Sequence, residues 1–120
     1  MTMEIIEIAD SDNLLRRVPF TDPNYIKPDG TITSFAFSPR RQDTNGLSMD
    51  VEKLTTFGKS IMDRTKFRLY RLQAQVPRNH GLKCLHDPKP ENVSHALIQG
   101  EFNKAISRKL ASAAERVIAG

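Results

Sequence analysis

Residues 86–100 read HDPKPENVSHALIQG. Pro88 and Pro90 each lack an N–H and push the residue before them toward extended backbone, so no helix runs through Asp87–Asn92. Apolar character resumes at Val93 and continues through Ala96, Leu97 and Ile98 until Gly100 stops it. The pattern predicts two strands, roughly Leu82–His86 and Ser94–Gln99, joined by an exposed loop. The same stretch holds two of the three histidines of the chain. A fold built around it is sheet-based.

Working outward, Arg64–Val76 (RTKFRLYRLQAQV) is a third strand. Tyr70, Leu72, Ala74 and Val76 share one face, and Arg71, Gln73 and Gln75 the other. Phe67 and Leu69 fall on the opposite parity, so either a bulge sits at Leu69–Tyr70 or both faces are covered. Leu14–Val18 is a strand ended by Pro19, in which Arg16 points the way of Leu14 and Val18. A guanidinium on that face needs a carboxylate, a phosphate or a set of carbonyls. Lys27-Pro28-Asp29-Gly30 is a tight turn. Thr31–Phe37 (TITSFAF), β-branched and aromatic, predicts an interior strand, and Leu47–Met49 a brief one. Met3–Ile8 is a strand or a docked arm.

Two helices are predicted. Asp50 opens the first, with Val51, Leu54, Phe57, Ile61 and Met62 at helical spacing. The second runs from about Glu101 to Ile118, where Phe102, Ala105, Ile106, Leu110, Ala113, Ala114 and Val117 form one stripe. That stripe is alanine-rich, which suits close packing on a sheet better than lying on a membrane. The expectation is a single α+β domain over residues 1–120, with a mostly antiparallel sheet of about four to six strands. The C-terminal amphipathic helix packs on one of its faces.

Composition narrows the class. At 38% hydrophobic and 27% charged residues, the 120-residue chain is globular rather than disordered. No apolar run approaches the roughly 20 residues that span a bilayer, so no membrane partner is expected. The opening MTMEIIEIADSDN carries acids and no base, the wrong sign for a signal peptide. Cys84 is alone, which points to a reducing, cytoplasmic setting.

The net charge of +4 is unevenly spread. Residues 64–89 hold Arg64, Lys66, Arg68, Arg71, Arg78, Lys83 and Lys89 against a single acid, Asp87. Arg64, Lys66, Arg68, Tyr70 and Arg71 therefore form a candidate nucleic-acid interface, in which basic residues bind the backbone and an aromatic ring stacks. An acidic protein is the other partner such a face would suit. Arg16, Arg17, His86 and His95 form a second candidate, a site for a phosphorylated or nucleotide-type ligand. There the arginines bind phosphate and the histidines move protons. Cys84, His86 and His95 are the nearest approach to a metal site, but their spacing matches no zinc motif, so neither metal nor cofactor is expected. Cys84 with His86 makes a poor nucleophile pair, because residues two apart on a strand run parallel.

Leu14-Leu15-Arg16-Arg17, Lys27-Pro28-Asp29-Gly30-Thr31, Ser34-x-Ala36-Phe37, Leu47-Ser48-Met49-Asp50, His86-Asp87-Pro88 and Asn92-x-x-His95-Ala96-Leu97-Ile98 follow one another through most of the chain. In this order they resemble a family of small, uncharacterised bacterial proteins. Where that family reads Asn-Pro-Ala-His, this chain reads Asn-Val-Ser-His. The resemblance implies one compact cytosolic bacterial domain and brings no activity with it. Three functional classes follow: a binding module for an acidic partner, ranked first with nucleic acid leading; a small enzyme at the Arg/His site; and a subunit of a larger assembly. Basic residues on one exposed face would mark the first, and arginines and histidines converging in a cleft the second.

Overall fold

In a computed structural model, residues 4–40, 43 and 45–119 are described. Six strands form one sheet: β1 (Asn13–Pro19), β2 (Leu47–Val51), β3 (Phe67–Gln73), β4 (Lys83–His86), β5 (His95–Gln99) and β6 (Glu115–Val117). Their order is β4-β5-β2-β1-β3-β6, and every neighbouring pair is antiparallel. Three short helices accompany them, α1 (Phe57–Ile61), α2 (Gln75–Arg78) and α3 (Lys104–Ala113). The architecture is α+β, with the C-terminal helix packed on the sheet.

Strand alternation separates two unequal cores. Leu14 and Val18 of β1, Met49 and Val51 of β2, Leu72 of β3 and Ile98 of β5 join Phe37 and, from α3, Leu110 in the larger one. On the opposite face Leu15 and Leu69 meet Ile61 of α1, with Phe57, Phe67 and Val117 around them. Phe67 and Leu69 therefore need no bulge, because β3 is covered on both sides.

Four elements depart from the sequence reading. The 64–76 strand is shorter than expected, Phe67–Gln73, because the chain turns at Ala74 into α2 and carries Val76 out of the strand alternation. Thr31–Phe37 is not a strand: Ile32 makes one isolated bridge to Ile26, and Ser34–Phe37 is a 3-10 turn. That turn lies under α3 and buries Ala36 and Phe37 side by side, which a strand would point to opposite faces. Asp50 does not open a helix, since the β2 pairing runs through it to Val51 and α1 begins later, capped by Thr56. The C-terminal helix covers Lys104–Ala113, not 101–118. Asn103 caps its start, and Glu115–Val117 leave it to pair with the free edge of β3. The stretch before β1 is a docked arm over its described residues, with Ile8 buried; Met3 lies outside them.

Among the described residues, no helix is long and apolar enough to cross a membrane. β2 starts from Gly46, whose φ is +126°. A Cβ there would stand 2.6 Å from the Ile98 carbonyl oxygen, so glycine alone lets the chain enter β2 beside β5.

Candidate functional site

β1 pairs with β3 along its whole length but with β2 only at Leu14–Val51 and Leu15–Asp50. Beyond Leu15 the two strands part, and a cleft of about 70 Å³ opens, lined by Arg16, Arg17, Ser48, Asp50, Asn92 and His95 among others. That volume suits a scissile group, not a whole ligand. Its residues come from Leu14–Arg17, Leu47–Asp50 and Asn92–Ile98, three of the stretches singled out in the sequence.

His95 leaves β5 on the face opposite to the α3 core. Its Nδ1 lies 3.1 Å from both the carbonyl oxygen and the Oδ2 of Asp87. A carbonyl can only accept, so Nδ1 carries a proton and in the neutral ring Nε2 is the acceptor. Nε2 faces the Ser48 hydroxyl at 3.3 Å, the long end for a hydrogen bond. Ser48 is exposed, because even-numbered β2 residues face away from the α3 core. Lys89 pairs with the same Asp87 oxygen at 3.2 Å. A hydroxyl, an imidazole and a carboxylate thus stand in line.

Asp50 holds this line in place. Buried between α1 and the 87–95 loop, it accepts from Ser60 Oγ at 2.7 Å and from Asn92 Nδ2 at 2.8 Å. Asn92 in turn accepts from the Ser94 amide, one residue before His95. Arg17 donates from Nη1 to the Ser60 carbonyl at 2.8 Å, where a cation suits the end of α1. Its guanidinium carbon lies 5.5 Å from the centroid of the Phe67 ring, and the residue also lines the cleft.

Arg16 spends its donors on carbonyls, Nε on Ala36 at 3.0 Å and Nη1 on Ser48 at 2.9 Å. This answers the sequence requirement with carbonyls in place of phosphate. Burial pushes its pKa down to about 10, which leaves a cation at neutral pH.

His86 is not part of the cleft. It pairs with Ala96, so it faces the α3 side and His95 does not. Its Nδ1 accepts from the Ile6 amide at 3.0 Å and its Nε2 lies 2.7 Å from the Val93 carbonyl, so both nitrogens are consumed by backbone. Cys84 shares that face with His86, its thiol pushed up to about 11 by burial. Cys84, His86 and His95 therefore do not converge on one point.

Several side chains of the basic segment are engaged by neighbours within the protein. Tyr70 is a buried core residue, so the ring expected to stack on a base is not exposed. Arg71 forks onto Glu52, Lys66 pairs with Asp63 and Arg78 with Asp10. Arg64 lies over the Phe57 ring and Arg68 over that of Phe20, and these four residues line one cavity of about 280 Å³ together with Arg116. Sequence reading placed Arg16, Arg17 and His95 near the cleft, and Asp87 or Asn92 as the partner of His95, but passed over Ser48 and Asp50 as site residues. The signal was the parity of Leu47–Val51, which sets Ser48 and Asp50 on one face of an otherwise apolar strand.

No family model, curated protein or solved structure matches the chain.

Proposed function

We propose that the protein is a small hydrolase working by nucleophilic catalysis at Ser48, on an ester that carries an anionic group such as a phosphate. The observation that carries this reading is the line Ser48–His95–Asp87. His95 Nε2 takes the Ser48 proton as Oγ attacks the carbonyl carbon, and the carbonyl electron pair moves onto oxygen. Asp87 steadies the imidazolium through Nδ1–H. The Arg17 guanidinium and the second amide N–H of Asn92 stabilise the oxyanion. As the intermediate collapses, His95 returns the proton to the departing alkoxide, leaving an acyl-serine. Water then attacks the acyl carbon, with His95 again as base, and releases the acid and Ser48.

Arg17 also supplies the positive charge that an anionic group beside the ester would seek. Binding of an acidic partner, nucleic acid included, draws its support from the net charge of +4 and ranks second. The cytoplasmic setting suggested by Cys84 belongs to the same proposal.

The test is covalent labelling by a fluorophosphonate, located by mass spectrometry, together with turnover of 4-nitrophenyl esters. Label on Ser48, blocked by His95→Gln, is the expected result. Label elsewhere, or turnover undiminished in Ser48→Ala, overturns the proposal.

A further inference from the structure

Away from the Ser48 cleft, the N-terminus of α3 opens onto a groove of about 710 Å³, walled by Phe35, Pro39, Phe102, Asn103, Lys104 and Ser107 among others. Asn103 Oδ1 accepts from the Ile106 amide at 2.8 Å, which settles one of the N–H groups that begin a helix. The Lys104 and Ala105 amides have no carbonyl one turn back in the helix, and the dipole of a ten-residue helix adds positive character at this end. Lys104 adds its ammonium, and no carboxylate lines the groove among the described residues. The groove is therefore built for negative charge at one end.

A second observation is independent of the helix end. Among the described residues, the Ser107 hydroxyl is the one buried side-chain polar atom without a hydrogen-bond partner, and its residue is 1% exposed. A buried orphan of this kind costs about 1–3 kcal/mol unless something fills its need. Ser107 lines the groove one turn in from the helix start, so a bound molecule could supply the missing partner. The third element is apolar. Phe35 is 45% exposed, yet its ring is held 4.9 Å from that of Tyr25, centroid to centroid. Phe102 stands across the same groove. A fixed, exposed aromatic ring beside a cationic helix end and an unpaired hydroxyl describes one kind of guest.

We propose that this groove is a second binding site, for a small aromatic molecule bearing a carboxylate or phosphate. The anion sits at the Lys104 and Ala105 amides with Lys104 beside it. The ring lies against Phe35 and Phe102, and a polar substituent pairs with Ser107.

The experiment is a titration of the 15N-labelled full chain with benzoate and, separately, phenyl phosphate, following backbone amide shifts. The two probes distinguish a carboxylate guest from a phosphate guest. Saturable shifts at Lys104, Ala105 and Ser107 are expected with one or both probes. Lys104→Glu should weaken binding about tenfold, and Phe35→Ala by about 2- to 10-fold. Both residues are exposed, so the spectra of the variants should keep the dispersion of the parent. Absence of shifts at these amides with both probes at millimolar concentration would overturn the proposal. Shifts unchanged in Lys104→Glu, or confined to Ser48 and His95, would do the same.

Discussion

His86 and His95 come from the two ends of one loop and do opposite things. His86 closes β4 and His95 opens β5, and the register that pairs His86 with Ala96 sends the two rings to opposite faces. On the α3 side, His86 meets one backbone donor and one backbone acceptor, which fixes the proton on Nε2. On the other side, His95 meets acceptors at Nδ1 and a hydroxyl at Nε2, which fixes the opposite tautomer. The first ring is a rivet between the N-terminal arm and the loop. The second has a basic nitrogen aimed at an exposed hydroxyl. Residue type does not separate a structural histidine from a chemical one; the partner of each nitrogen does.

Substitution at the open face should give the largest effect. If Ser48 is the nucleophile, Ser48→Ala and His95→Ala should each lower ester turnover by about a thousandfold or more. Melting temperature should barely move, because Ser48 is exposed and His95 is held through a loop and not a core. Steady-state kinetics beside thermal melts read both quantities. A large loss of stability in His95→Ala would erase the distinction between the two rings.

Asp87→Asn comes next. An amide at that position can donate to Nδ1 and so favour the tautomer that leaves Nε2 without its lone pair. Turnover should fall about 10²- to 10³-fold, with KM changed far less than kcat. A loss seen in KM alone would assign Asp87 to binding and not to proton positioning.

His86→Ala should do the reverse of His95→Ala. It removes the partners of the Ile6 amide and the Val93 carbonyl in two part-buried hydrogen bonds, a cost of about 1–3 kcal/mol and several degrees in melting temperature. Labelling of Ser48 in the folded fraction should survive. If labelling disappears while the melt is unchanged, His86 belongs to the chemistry after all.

How much of this was legible is itself decided by parity. β1, β3, β4 and β5 announce themselves by alternation, and the inward turn of Arg16 follows from its place between Leu14 and Val18. The opposed faces of His86 and His95 do not follow, because they depend on how many residues the loop spends before the strands pair. TITSFAF has the composition of a strand, but Ala36 offers its carbonyl to Arg16 and Phe37 fills the space beneath α3, contacts made by residues distant in the chain. Asp50 has the composition of a helix cap, yet Ser60 and Asn92 claim both of its oxygens. The helical pattern beyond Ala113 gave way because β3 had an edge to cover. In each case a tertiary partner outbid a local preference.

The smallest predicted effect extends the comparison to pH. Cys84 lies on the covered face with His86, and burial holds its thiol up to about 11 against an ordinary value near 9. Between those values the unfolded chain sheds the proton while the folded chain keeps it. The unfolded state then binds fewer protons, so stability falls as pH rises through that window. Arg16 runs with the opposite sign, since its pKa is lowered in the folded state to about 10, and its influence is felt from about pH 9 upward. The difference between the melts of the parent and of Cys84→Ala between pH 8.5 and 10 therefore isolates the thiol, and the variant should lack its share of the downward slope. Equal slopes in the two proteins would mean that the thiol is not sealed from water. Ester turnover over the same range should ignore Cys84→Ala, because the sheet itself separates that thiol from Ser48.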